Sequence, residues 1–566
     1  MIPKLKSIFI ICIFSFFIYS SSANSSFFNL NNSSVVSDYI SNYLKGSVLI
    51  NQNQYSEANI YFSKIKKLSN THPSYNFQYI FSLVMSGKIA EANSIITSLD
   101  KQYRDNDLFQ LIEGVFLIKN RNFFLAKEKF KNSGNSSPLF IELNNYINLW
   151  LEAENSPEQE LKIKKIKTIF SNIKLIQSFL IYDYIGNDNL YKKTSLEILK
   201  QPDLGRYHFF HSIFLIKKNK IQEATKIIEN QLLENPNNLL MKQSYVSLKN
   251  NNLSFFTNNY DSKNVNHGIS ELLYLFGNVL QQQNQIELSK LFVSLSDYLN
   301  PNFISNKLLN LENFMIEDSN YFNYGIADTI ENLGSEFFWY INFNKLIHEE
   351  KKIQTKNASL INILKKKQAD SNFFVFSKLI DLANYYRSNK NYKISLEYYE
   401  RAEQIALPKE LDWKFYYYKG ICNERLGNFD NADKNFLKSL QLSPQEYVVI
   451  NYLAYSWLER GVNIDRAKKM LYDAVELSKW EQGYIIDSLG WAYYLSSNFS
   501  EAEKLLQLAY EKAPYEPEVY DHYGDVLWKN NKKIQARYVW GNAIKLPQID
   551  EERTKKLKEK LMHGIN

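Results

Sequence analysis

The stretch "GYIIDSLGWAYYLSSNFSEAEKLLQLAYEKAP", Gly483 to Pro514, decides the fold. Apolar residues recur at helical spacing in two blocks: Ile486, Leu489, Gly490 and Tyr493, then Ala502, Leu506 and Ala509. A Ser- and Asn-containing turn separates them, and Ser500 is placed to cap the second helix. Glycine in a helix interior costs about 1 kcal/mol relative to alanine, so packing has to offset Gly490. Gly490 and Ala502 are the small residues of the two helices, and close approach of the axes at that level supplies the offset.

The spacing recurs. Gly420, Ala432, Phe436 and Pro444 stand 12, 4 and 8 residues apart, as do Gly490, Ala502, Leu506 and Pro514. Gly524, Ala536 and Trp540 repeat it, and Ala454, Ala467 and Leu471 do so with one extra residue. The leading small residues of these four copies are 34, 36 and 34 apart, enough for two helices and two turns. Ala383, Ser395 and Tyr399 form a further copy. Weaker copies lie upstream at Gly46/Ala58/Phe62, Gly114/Ala126/Phe130, Ser212/Ala224/Ile228 and Gly277/Ser289/Val293. Residues 140–200 and 303–370 keep the helical periodicity without the small-residue pairs and read as divergent hairpins. The Asn-rich segment Asn250–His267 and the polar segment Lys351–Ser359 read as loops or breaks. Only 18 Gly and 12 Pro in 566 residues agree with long helices and argue against a turn-rich β fold.

This pattern resembles the tetratricopeptide repeat family, whose unit is a helix–turn–helix of about 34 residues with small residues in both helices and proline near its end. The resemblance implies an all-α right-handed solenoid of stacked hairpins, regular in the C-terminal third and degenerate before it. The expected divisions are 1–23 signal peptide, 24–350 degenerate array, 351–372 linker or break, 373–547 regular array, and 548–566 a charged capping helix or tail. The N-terminus reads as an export signal: Lys4 and Lys6, the twelve-residue apolar run Ile8–Tyr19, then Ser21-Ser22-Ala23. Twelve residues are too few for a membrane span, and Cys12 lies inside the apolar run with no small-residue lipobox before it. Removal of that signal takes two lysines and no acid from a chain of formal net charge +7. The remaining charge is mild, and the clusters Leu161–Lys167 and Lys365–Lys367 lack interleaved aromatics, so they read as solvated helix faces and no nucleic acid is expected. The one remaining cysteine, Cys422, excludes an intramolecular disulfide.

Catalytic patterns are missing. His348-Glu349-Glu350 has no second histidine four residues on, His208 and His211 have no third ligand nearby, and neither a G-x-S-x-G elbow nor a phosphate loop occurs. The sequence therefore reads as a non-enzyme without cofactor or metal. The arrangement of signal, degenerate array and regular repeats is similar to exported bacterial scaffold proteins, which implies protein or peptide partners, envelope enzymes among them, and a periplasmic or outer-membrane-associated place. The resemblance also implies that first helices line a concave groove through positions 2, 5, 9 and 12 of each repeat. Those positions are Lys414, Tyr417, Ile421 and Glu424; Val448, Asn451, Tyr455 and Leu458; Tyr484, Asp487, Trp491 and Tyr494; and Glu518, Asp521, Asp525 and Trp528. Aromatics with acids suit a helix or extended segment carrying Lys or Arg. The alternative is a glycan-binding or polysaccharide-export module that stacks sugars on Trp491, Trp528 and the tyrosines.

Overall fold

The computed structural model describes residues 33–131, 137–153, 163, 166, 168, 171–317, 322–353, 358–547 and 549–565. The expected signal peptide lies outside these residues. All regular structure among them is helical, and the chain is an all-α solenoid of helix–turn–helix hairpins. It forms two compact units, Met1–Lys367 and Gln368–Asn566. The division falls inside the helix Ala358–Ala369, and the preceding helix Ser335–Ile353 runs into the polar stretch expected to be a break. The other expected loop, Asn250–His267, is likewise shorter than its composition suggests. It holds a helical turn at Ser254–Thr257, and from Val265 it is already the next helix.

The C-terminal unit contains five hairpins, here numbered repeats 1 to 5. Their first and second helices are Val375–Ser388 and Tyr392–Ile405, Trp413–Arg425 and Phe429–Leu442, Tyr447–Glu459 and Ile464–Leu477, Gly483–Leu495 and Phe499–Lys512, and Pro517–Lys529 and Lys533–Ala543. A last helix, Glu551–His563, follows. Ala432, Ala454, Ala467, Ala502 and Ala536 are buried, as are Gly420, Gly490, Gly524 and Phe436. Pro444 and Pro514 sit just beyond the second helices, which they stop from continuing.

The space beside each leading glycine of these copies is filled by a side chain sixteen positions later. A Cβ on Gly490 would lie 2.7 Å from Leu506 Cγ, and one on Gly420 would lie 2.7 Å from the Phe436 ring. Gly524 faces Trp540, Gly46 faces Phe62, Gly114 faces Phe130 and Gly277 faces Val293 in the same way. The partner of Gly490 is thus Leu506 more than Ala502. The residue at the twelve-residue offset instead meets the first helix's backbone: Ser395 and Ser289 donate hydrogen bonds to the carbonyls of Ala383 and Gly277 at 2.8 and 2.7 Å. The turn of repeat 4 also differs in detail, because Asn498, not Ser500, accepts a bond from the Glu501 N–H at 3.4 Å. Asparagine supplies many of the left-handed turn residues (Asn53, Asn219, Asn251, Asn284, Asn531), which is how a glycine-poor chain closes so many hairpins.

In the N-terminal unit the weak copies also form hairpins, among them Ser33–Asn51 with Tyr55–Ser63 and Asp107–Lys119 with Phe123–Lys129. The hairpin Val265–Gln282/Ile286–Leu299 does more than extend the stack. Ile286–Leu299 packs on the first helices Pro73–Met85 and Asp107–Lys119, and Val265–Gln282 packs on Pro138–Ala153 and Ser171–Ile185. Trp150 takes the space left by Gly268, and the Lys119 amine donates to the Leu299 carbonyl at 3.2 Å. Lys290 is fully buried, and its amine donates to Asn53 Oδ1 at 3.0 Å and pairs with Glu287 at 3.3 Å. Arg206 is buried against Glu271, with bonds of 2.9 and 2.6 Å, between the rings of Tyr274 and Phe303. Such pairs fix register more than they add net stability.

The sixteen-residue contact can be tested by contrast. Gly490→Val places methyl groups inside Leu506 and should cost about 2 kcal/mol or more in urea denaturation. A Cβ on Gly541, in the second helix of repeat 5, would meet nothing within 4 Å beyond its chain neighbours and its own helix backbone. Gly541→Ala should therefore stabilise by about 0.5–1 kcal/mol through the unfolded chain's lost freedom.

Candidate partner-binding groove

The first helices of repeats 3, 4 and 5 lie side by side, and their groove-position residues engage one another across the repeats. Tyr455 in repeat 3 donates to Glu518 in repeat 5 at 3.1 Å. Trp491 Nε1 in repeat 4 donates to Glu459 in repeat 3 at 3.2 Å. Asp487 in repeat 4 pairs with His522 in repeat 5, Oδ2 to Nδ1, at 2.8 Å. Trp491 stacks with His522 (centroids 4.0 Å, planes 14° apart) and with Tyr494 (4.5 Å, 7°). The sequence pattern therefore does bring Tyr455, Asp487, Trp491 and Tyr494 together. It did not single out His522, Glu459 or Glu518 as the partners that hold them.

The electrostatics follow from this crowding. Burial by itself would lower the His522 imidazole, but the Asp487 carboxylate, with Glu518 and Asp521 beyond it, raises its pKa to about 9. The ring is therefore a cation at neutral pH and sits against the Trp491 indole, a favourable arrangement. Burial raises the Tyr455 phenol, and Glu518, Glu459 and Asp487 raise it further. Burial, then Asp525 and Asp521, pushes Tyr494 up to about 12. Asp487 Oδ1 and Asn451 Oδ1, at equivalent positions of neighbouring first helices, are buried acceptors with no hydrogen-bond donor. Each such unmet acceptor costs roughly 1–3 kcal/mol.

Several expected groove residues are more enclosed than a free binding face requires. Asp487 is 4% exposed and Asp525 6%, and Asn451 and Leu458 are buried as well. Tyr417 is half-buried among Phe436, Tyr452 and Tyr418. Asp521 and Asp525 both receive Lys560 from the last helix, at 2.5 and 2.7 Å. Trp528 is covered by Gly564, packs with Trp540 at 5.6 Å and lies under Arg537 and Lys533. The charge of the last helix marks it only as a soluble end to the array, yet this segment lies on Asp521, Asp525 and Trp528, and Arg553 stands 3.7 Å from Glu518. The acidic, aromatic surface left open comprises Tyr484, at 41% exposed, the exposed acids Glu459 and Glu518, and the partly exposed Tyr455 and Trp491. A sugar ring would find the Trp491 indole already stacked on two rings of its own chain.

Other chemistry-bearing residues are absorbed by packing. His208 bonds the Ile198 carbonyl at 3.2 Å, and His211 meets the Tyr191 hydroxyl at 2.8 Å, with burial lowering its pKa to about 4. The Cys422 thiol is buried 3.2 Å from Ser395 Oγ, and burial raises its pKa. Among the described residues no group of three or more His, Cys, Asp or Glu is arranged to hold a metal ion, and no helix is long and apolar enough to cross a membrane.

Residues 414–446, which are repeat 2, match the tetratricopeptide repeat family model. No curated protein matches the chain. Among solved structures, the chain is similar to a thermophilic tetratricopeptide protein of Thermus thermophilus at 17% identity over 33% of this chain and 99% of that one, with a TM-score of 0.30. It is similar to PilF of Pseudomonas aeruginosa at 15% identity over 34% and 93%, with a TM-score of 0.27. It is also similar to yeast Tom70 at 14% identity over 94% and 96%, with a TM-score of 0.32. These values carry no partner or activity from those proteins to this one.

The Asp487–His522 pair predicts a pH dependence. With the folded pKa raised from 6.5 to about 9, the pair's contribution is fully present below pH 6.5 and is lost as pH rises through 9. Hydrogen-exchange protection over residues 483–529 should fall by an amount on the order of 3 kcal/mol across that window. Asp487→Asn should be less protected at pH 6.5 and should lack the decline.

Proposed function

Taking the chain as a tetratricopeptide-repeat protein, we propose that it is a non-catalytic scaffold of the bacterial cell envelope. Its first-helix face in repeats 3 to 5 takes a helix or extended segment of a partner protein that carries Lys or Arg. The observation that carries this reading is the open strip of Tyr484, Tyr455 and the Trp491 edge flanked by the exposed carboxylates of Glu459 and Glu518. Aromatic anchors with a few directional acceptors suit a peptide, and the acids select a basic one. Support also comes from the N-terminal unit. There the chain's own hairpin at 265–299 packs on the first helices Pro73–Met85 and Asp107–Lys119. Export to the periplasm rests on the basic and apolar N-terminal sequence.

A photo-crosslinking residue at Tyr484 in the full chain should give discrete protein adducts in cell-envelope extract. The same residue at Tyr472, 49% exposed on a second helix, should not. Glu459→Lys with Glu518→Lys should cut the Tyr484 adducts at least about tenfold. Equal adducts at both positions, or adducts indifferent to the two acids, would exclude this groove. Retention on peptidoglycan or exopolysaccharide without protein adducts would point to the glycan reading.

A further inference from the structure

The last helix is held by fewer fully buried residues than a first helix inside the stack. The first helix of repeat 4 buries eight residues, Gly483, Ile485, Ile486, Asp487, Ser488, Leu489, Gly490 and Ala492. Helix Glu551–His563 buries one, Leu557. Leu561, with Ile549 and Ile565 beside the helix, packs partly buried on the same apolar cluster, and the remaining contacts are polar. Lys560 reaches Asp521 at 2.5 Å and Asp525 at 2.7 Å, and Arg553 stands 3.7 Å from Glu518. The Leu561 carbonyl accepts from Arg537. Arg553, Leu557 and Lys560 lie at i, i+4 and i+7, on one helical face.

The face beneath is a built receptor for a cation. Burial raises the Asp525 carboxyl to about 6 even though Lys560 lowers it and Asp521 adds to the rise. Two neighbouring acids in such surroundings require a positive charge opposite them. The preceding junction follows the same rule: Asp487 on one first helix takes the His522 cation from the next. The last helix therefore occupies the place of a further first helix and brings the cation that place demands.

We propose that this face of repeat 5 is a docking site for a basic amphipathic helix of a partner protein, with the spacing basic–three residues–leucine–two residues–basic, and that helix Glu551–His563 is its resident, replaceable occupant. The inference rests on the reading that first-helix faces of this chain receive helices. The two surfaces share Glu518, but the test below reads the release of residues 549–565 and the acids Asp521 and Asp525, so its failure is distinguishable from that of the crosslinking.

The probe is a fluorescein-labelled peptide of residues 549–565, added to the full-length chain and followed by anisotropy. Hydrogen exchange monitors residues 549–565 of the protein, and circular dichroism monitors the repeats. The unaltered chain should bind the peptide weakly. Lys560→Ala should raise exchange in residues 549–565 while the repeats keep their helicity, and should tighten peptide binding at least about tenfold. Adding Asp521→Asn and Asp525→Asn to Lys560→Ala should abolish that gain, and a peptide with Lys560→Glu should not bind. Leu557→Asp gives a second way to release the helix and should produce the same gain. A released helix with no gain in peptide binding would overturn the proposal. So would a gain that survives loss of both acids, or a helix that neither substitution releases. A concentration-dependent dimer in ultracentrifugation, exchanging this helix between copies, would make a second copy the occupant and overturn the assignment to a separate partner.

Discussion

A large side chain on the second helix, seated where the first helix carries only a hydrogen, is the contact on which the glycine-bearing hairpins depend. Leu506 against Gly490, Phe436 against Gly420, Trp540 against Gly524, Phe62 against Gly46 and Phe130 against Gly114 are one device in different volumes. The glycine weakens its own helix by about 1 kcal/mol. The buried ring or leucine returns about 1.5–3 kcal/mol and sets the distance between the axes. It also divides the first helix into two faces. The face that holds Gly490 is committed to its hairpin partner, and Trp491, one residue and about 100° further round, belongs to the other.

That second face meets different fates in the two units. In the N-terminal unit the chain's own hairpin at 265–299 packs on the first helices Pro73–Met85 and Asp107–Lys119, and Lys290 is buried against the turn residue Asn53. In the C-terminal unit that face is laced by contacts between successive first helices, Asp487 to His522 and Trp491 to Glu459, and then by Lys560 from the last helix. A buried acid answered by a cation from another element recurs in both units, as Glu271 with Arg206 and Asp525 with Lys560. Replacing such pairs by apolar residues is often neutral for stability, whereas removing one partner is not.

Much of the fold was legible because the sixteen-residue contact is local. Gly420 and Phe436, or Gly524 and Trp540, sit in one hairpin, and the spacing between them is constrained by two helices and a short turn. Leu506 rather than Ala502 as the occupant of the gap, and Asn498 rather than Ser500 as the cap, are differences of about one helical turn or less within that frame. The candidate site was legible only in its membership. Periodicity places Asp487, Trp491 and Tyr494 on one helical face, but the rotation between successive repeats decides that His522 arrives beneath Trp491. The pairing of Lys560 with Asp525, 35 residues away, depends on where a helix outside the repeat pattern comes to rest. Charge alone marked that helix as soluble. Its spacing of Arg553, Leu557 and Lys560 had meaning only once the acids beneath it were in view.

The same contacts restrict how a partner can be recognised. Trp491 looks in sequence like a platform, but its indole is spent on Tyr494 and His522, and its N–H is committed to Glu459. A ligand on this strip meets the edge of that stack, the Tyr484 ring and the two outer carboxylates, without a free aromatic face at Trp491. Edges and carboxylates are directional, and carboxylates at a solvent-exposed rim influence encounter and orientation more than the depth of binding. Affinity must then come from apolar contact with Tyr484 and from donors supplied to the acceptors beneath. The strip is thereby better suited to choosing among basic helices than to holding any one of them tightly, which is what an assembly scaffold with exchangeable partners requires.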